Sequence, residues 1–177
     1  MPHRHLNENW RICFDELAPR LLLYARQWLP VRADAEDAVQ NAFVKFWKQQ
    51  PGGGREHYPL LYSAVRSAAL DLIRQRTRRA GREAKLAEEM VFPPDAPWFE
   101  PPGGEEESRQ THAALLDALA RLPAPQREVL ALKIWGELTF QQVAEVVGES
   151  INTIAARYRY ALEALRRTMK PHEYERV

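Results

Sequence analysis

A stretch crowded with prolines, glycines and carboxylates cuts this chain in two, and that limits the folds open to it. Between Ala80 and Gln110 runs Phe92-Pro-Pro-Asp-Ala-Pro-Trp-Phe-Glu-Pro-Pro-Gly-Gly-Glu-Glu-Glu107. Proline removes backbone donors, glycine adds entropy to the unfolded chain, and a high density of carboxylates resists burial. The stretch therefore reads as a linker over 81–110, and any core must form within the blocks on either side. Trp98 and Phe99 are unusual in an inert tether; they suit packing on one block or docking on a partner.

Both blocks carry helical periodicity, and no strand pattern survives in either, so the expected class is all-α. The first block, 8–80, reads as a three-to-four-helix bundle. Its first helix, Trp10 to Leu29, has apolar residues at 10, 13, 14, 17, 21, 24, 25 and 28, with Pro19 placed to break or restart it. The second, Ala33 to Gln49, lines up Ala35, Ala38, Val39, Ala42, Phe43, Phe46 and Trp47. Its opposite side holds Asp37, Gln40, Asn41 and Val44 at i, i+3, i+4 and i+7, a polar stripe interrupted by one valine. That stripe suits either a docking face for another helix or plain solvent. A third helix, Pro59 to Arg79, follows the loop Pro51-Gly-Gly-Gly-Arg-Glu-His-Tyr-Pro59.

The second block, 111–170, reads as four helices. Thr111 to Arg121 ends at Leu122-Pro-Ala-Pro125, and Pro125 then suits the first helical position of Gln126 to Trp135. Gly136 closes that helix. Thr139 caps the next, Gln142 completes a capping box, and Gly148 supplies a left-handed ending. Ser150 or Asn152 caps the last helix, on which Ile151, Ile154, Tyr158, Ala161, Leu162 and Leu165 form the expected core stripe. Two short helices meeting at a glycine turn, with Arg157 and Arg159 on the exposed side of the second, read as a helix-turn-helix on duplex DNA. Residues of the first turns would enter the major groove, with Arg157 suited to a bidentate contact on a guanine edge. Asn152, Thr153 and Arg159 suit base or phosphate contacts equally.

Charge is distributed in keeping with that reading. Residues 1–80 hold thirteen Lys/Arg against eight Asp/Glu, whereas 81–110 hold three against eight. Arg66 to Arg82 contains six arginines and one aspartate, so Arg66, Ser67, Arg74, Arg76, Arg78 and Arg79 could line a melted strand. A solvated face explains the same letters. His57 and Tyr58, beside the glycine loop, are placed to hold an unstacked base.

Several classes drop out. The single cysteine, Cys13, excludes an internal disulfide. His3, His5, His57, His112 and His172 are scattered without metal-ligand spacing, so no metal, cofactor or catalytic constellation is expected, and no small-molecule substrate. The longest aliphatic run, Leu21-Leu22-Leu23, is far short of the roughly 20 residues a membrane helix needs. With no signal-like apolar stretch in Met1–Trp10, the expectation is a soluble, cytoplasmic protein without membrane insertion.

Two segments carry a family resemblance. Asp34-Ala-Glu-Asp-Ala-Val-Gln-Asn-Ala-Phe-Val-Lys-Phe-Trp47 resembles the polymerase-binding helix of bacterial sigma factors. Leu122-Pro-Ala-Pro-Gln-Arg-Glu-Val-Leu130 through Tyr160-Ala-Leu-Glu-Ala-Leu165 resembles their −35-reading domain. Two such domains on an unrelated linker are similar to the extracytoplasmic-function group. The resemblance implies a non-enzymatic factor that binds core RNA polymerase at its clamp helices and flap, directs it to promoter DNA and assists −10 melting. It places Asp37, Gln40, Asn41 and Val44 on the polymerase and His57, Tyr58, Arg66, Ser67, Arg74 and Arg76 on −10 DNA. Thr139, Ser150, Asn152, Thr153, Ala156, Arg157, Arg159 and Tyr160 fall on the −35 element. An anti-sigma factor is a further implied partner. Leu60 and Ser67 stand where relatives often have tryptophan and asparagine, and Ala155-Ala156 replaces a common Lys-Ser pair.

A helix-turn-helix repressor or activator working without polymerase is the alternative, and an interaction adaptor that binds no DNA a third. Reach is compatible with the first reading. Two promoter elements about two helical turns apart lie on the order of 70 Å from each other, and a 30-residue linker extends to about 100 Å.

Overall fold

The computed structural model describes residues 3–49, 55–79 and 114–169. Among them all regular structure is helical: α1 (His3–Arg26), α2 (Arg32–Gln49), a 3-10 turn (Arg55–His57) and α3 (Tyr58–Arg79), then α4 (114–120), α5 (Ala124–Ile134), α6 (Phe140–Val147) and α7 (Ile151–Met169). The linker expected over 81–110, with Trp98 and Phe99, lies outside the described residues, as does the 51–54 part of the glycine loop.

In the first module, α1, α2 and α3 pack on one another through the stripes read from the sequence. Leu17, Leu21, Ala35, Ala38, Val39, Ala42, Phe43, Leu61, Val65 and Ala69 are all buried, and Phe14 meets Phe43 edge-on with ring centroids 4.9 Å apart. One expectation fails here. Pro19 neither breaks nor restarts α1, which runs through it. Buried Leu17 and Leu21 on either side anchor both halves, so tertiary packing outweighs the lost backbone bond.

In the second module, α5 packs on α7 and α6 joins both. Pro123 is the residue before α5, so Pro125 occupies its second position rather than the first. Both positions belong to the first turn, whose N–H groups lack helical partners. Gly136 follows α5, but the left-handed residue is Glu137, at φ 55. Gly136 is needed for a different reason: a β-carbon there would sit 2.5 Å from the Leu132 carbonyl oxygen.

The capping box on α6 forms as expected. The Thr139 hydroxyl accepts from the Gln142 amide at 3.2 Å, and the Thr139 amide donates to Gln142 Oε1 at 2.8 Å. Gly148 ends α6 at φ 79. Thr139→Ala should cost about 1 kcal/mol in urea denaturation, with Thr139→Ser restoring most of it. An unchanged midpoint would mean that tertiary contacts alone hold the helix start.

The modules also pack on each other, with α3 against α6 and α1 against α5. Leu23 of α1, 1% exposed, is buried in a cluster with Leu119, Leu122, Leu130 and Ala161. A second buried cluster runs from Leu17, Phe43 and Leu61 through to Val129, Leu132, Val143 and Ile154. The sequence suggested tethered modules with their own cores; in the structure two buried clusters draw residues from both modules.

Candidate nucleic-acid interface

The amphipathic pattern of α7 turns one side inward and leaves the other free. Ile154 and Ala161 are buried, while Asn152, Arg159 and Tyr160 are exposed and Thr153, Ala156 and Arg157 half-buried. Ile151 and Leu162, expected on the core stripe, remain 44% and 39% exposed. Ile151 is the first helical residue, and Leu162 is rotated about 100° from buried Ala161.

Ser150 rather than Asn152 makes the cap. Its Oγ accepts from the Thr153 amide at 3.1 Å and lies 2.8 Å from the Thr153 hydroxyl. Asn152 is thereby released to face outward. Arg157 is held by Glu149, its Nη2 donating to Oε1 at 3.0 Å. The Arg159 guanidinium sits 5.2 Å from the Tyr160 ring centroid, a cation–π contact between two exposed residues. Thr139, Ser150, Asn152, Thr153, Ala156, Arg157, Arg159 and Tyr160 thus cluster around the α6–α7 turn and the first half of α7, the arrangement that presents a helix to a groove.

The residues expected on −10 DNA are spread along α3 and do not form one patch. His57 and Tyr58 stand at its start, half-buried, with the His57 ring against Phe46 and its Nδ1 3.2 Å from Glu56. Ser67 is exposed and, with Asn41 of α2, lines a groove of about 370 Å³ between the two helices. Near the far end Arg74 pairs with Asp71 at 3.1 Å and Arg76 pairs with Asp34 of α2.

Arg66 departs from the expected solvent-facing role. Its Nε donates to Glu128 Oε1 of α5 at 2.8 Å, and the same oxygen accepts from the Tyr24 hydroxyl at 2.7 Å. The guanidinium also lies 5.7 Å from the Trp28 ring centroid. Burial works against its charge, but the Glu128 carboxylate more than offsets this and holds its pKa above the ordinary arginine value. Burial and that same carboxylate push the Tyr24 phenol well up, so it stays a donor. The neighbouring Arg127, also buried, donates to the Ala120 carbonyl at 2.9 Å, and desolvation lowers it to about 10.

Sequence reasoning missed this junction. The available signal was Glu128 directly before the apolar run Val129-Leu-Ala-Leu132, and Arg66 at i+4 from Tyr62 and i−3 from Ala69, a second inward line on α3. On α2, Asp37, Gln40, Asn41 and Val44 are all exposed, Val44 by 50%. Among the described residues no cluster of three or more His, Cys, Asp or Glu could hold a metal ion, and no helix is long and apolar enough to cross a membrane.

Comparison with known proteins matches the two modules separately. Residues 13–79 match sigma-70 region 2, and residues 112–165 match sigma-70 region 4. The chain is 26% identical to the ECF RNA polymerase sigma factor RpoE of Cereibacter sphaeroides over 160 residues, covering 88% of this chain and 83% of that one. It is 26% identical over 163 residues to the ECF RNA polymerase sigma factor SigL of Mycobacterium tuberculosis, covering 90% and 88%. In fold it is similar to the sigma factor RpoE of Bartonella quintana, solved in complex with the anti-sigma factor NepR. That likeness has a TM-score of 0.66 at 22% identity, covering 92% of this chain and 98% of the other.

Proposed function

This chain belongs to the sigma-70 family, in its extracytoplasmic-function group, and we propose that it programmes core RNA polymerase through three surfaces on two modules. It binds core polymerase, directs it to particular promoters and assists melting at the −10 element. The observation that carries this is region 2 and region 4 in one chain, in order, at 13–79 and 112–165. A repressor or activator using only a helix-turn-helix would have no use for the first.

The residue assignments extend that reading. Asp37, Gln40, Asn41 and Val44 of α2 meet the polymerase clamp helices. His57, Tyr58, Arg66, Ser67, Arg74 and Arg76 meet −10 DNA. Thr139 and the exposed side of α7 meet −35 DNA, with the module also reaching the flap. The division into 8–80, 81–110 and 111–170, a cytoplasmic setting, the absence of any catalytic step and an anti-sigma partner belong to the same proposal. Exposed Val44 on a polar helix face and outward Asn152 and Arg159 support it.

Run-off transcription with core enzyme on a genomic promoter library is the direct test, together with native co-purification. A chain that neither associates with core polymerase nor changes its start sites would overturn the proposal. Base reading has its own test. Arg157→Ala should remove about 1–3 kcal/mol of discrimination at one −35 position, measured by competition among single-base variants. Uniform weakening on every sequence would instead make Arg157 a phosphate contact.

A further inference from the structure

The turn between α6 and α7 carries a carboxylate where a DNA-reading surface has least use for one. Glu149 stands between the glycine that ends α6 and the serine that caps α7. Its backbone is held from both sides. Its amide donates to the Ala144 carbonyl at 3.2 Å, beside the Gly148 amide at 2.8 Å, and Ser150 is fixed in turn by its bond from the Thr153 amide. From this fixed base the side chain, 42% exposed, offers Oε1 to Nη2 of Arg157, eight residues on.

The direction of that contact matters. A helical side chain leans toward the N-terminus of its own helix, so Arg157 covers the turn before it. Its bond to a residue preceding α7 extends the lean and draws the guanidinium toward the helix end where exposed Asn152 stands. That end is the part of a recognition helix that meets base edges. As a fastener the pair is weak, because both members are partly in water. Its cost on DNA is definite, because a carboxylate beside a polyanion repels phosphates. A free arginine would take the nearest phosphate, which fixes register without reading sequence. Tied through one nitrogen, it keeps its remaining N–H donors for a group in one fixed direction.

We propose that Glu149 is a specificity-determining residue of the −35 reader, positioning the Arg157 guanidinium for one base edge and withholding it from phosphate. The inference rests on the proposed −35 role of α7 and deepens it. Glu149 lowers affinity for duplex DNA in general and raises the contrast between one sequence and the rest.

The test uses the full chain with core polymerase on duplex promoter fragments randomised across the −35 segment, the bound fraction being sequenced. The base pair read by Arg157 is the one whose preference Arg157→Ala relaxes. At that base pair Glu149→Ala should cut discrimination roughly five- to tenfold, part of what a bidentate contact supplies. Scrambled duplexes should bind more tightly, and the slope of log K against log salt should steepen by about 0.9, one added phosphate contact. Glu149→Gln keeps Oε1 as an acceptor and should retain more of the discrimination. In the double variant Glu149→Ala/Arg157→Ala, discrimination should equal that of Arg157→Ala alone, and the added salt dependence should vanish. Equal weakening on every sequence, with the salt slope unchanged and a lower melting temperature, would make the pair a fastener and overturn the proposal. Additive losses in the double variant would also overturn it, since Glu149 would then act without the arginine. If the unmodified chain enriches no sequence at all, the −35 reading itself falls and this inference with it.

Discussion

Phe43→Ala is expected to lower the stability of the whole chain by about 3–5 kcal/mol, the usual cost of emptying a phenylalanine site that cannot collapse. Phe43 is 1% exposed and meets Phe14 edge-on, so its removal leaves a cavity and also forfeits an aromatic pair. Against a typical total of about 5–15 kcal/mol, that is a large share. The location gives the experiment a second reading. Phe43 belongs to the buried cluster that continues into Val129, Val143 and Ile154 of the second module. If that core is cooperative, scanning calorimetry shows one transition, shifted down as a unit by roughly 6–20 °C. If the modules melt independently, only one of two transitions moves, and the continuous core contributes little to either. Lys48→Ala, an exposed change on the same helix, should leave the profile unaltered.

Local rules made much of this fold legible. The apolar stripe of α2 is buried as its spacing implied, except for half-buried Trp47 at its end, because its members belong to one helix and one period decides them. Thr139, Gln142, Gly148 and Ser150 take their places because capping depends on neighbours within three or four residues. Long-range pairing left no such trace. Arg66 and Glu128 are 62 residues apart, and no periodicity links them. An arginine in a basic run reads as solvent-facing until the helix meant to cover it is placed. Pro19 misled for the same reason: its local effect was read correctly, while the packing that overrides it comes from α2 and α3. Ile151 and Leu162 mark the limit of a helical stripe at its edges, where a rotation of about 100° per residue decides between core and surface.

The −10 assignments illustrate what charge alone leaves undecided. Six positions were assigned along one segment, five of them basic or aromatic, yet the three arginines among them have distinct partners: Glu128 for Arg66, Asp71 for Arg74 and Asp34 for Arg76. The exposed pairs are weak and screened, so a phosphate displaces the carboxylate at little cost. The buried one is not, because breaking it strands a charge inside protein. Availability for DNA therefore depends on which partner each arginine has, and α3 offers its two ends more readily than its middle.

Val44→Asp should weaken core polymerase binding by about 2–4 kcal/mol, roughly 30- to 1,000-fold, with little change in the free chain's stability. The asymmetry follows from where Val44 lies. At 50% exposure it stabilises the folded chain only modestly, so a carboxylate there meets water and costs little. Against a partner helix the same side chain would lie at the C-terminal end of the stripe that begins with Asp37, Gln40 and Asn41, as its one apolar contact. A carboxylate at that point loses its hydration without gaining a partner, and an unpaired charge in an interface is far more costly than a missing methyl group. Val44→Ala, which only removes contact, should therefore fall well short of Val44→Asp, and Gln40→Ala should weaken polymerase binding while leaving −35 DNA binding by the second module intact. Competition against a labelled unmodified chain measures all three on one scale. If none of them changes polymerase affinity, the docking face lies elsewhere on the module and the valine in that polar row is a surface residue with no partner.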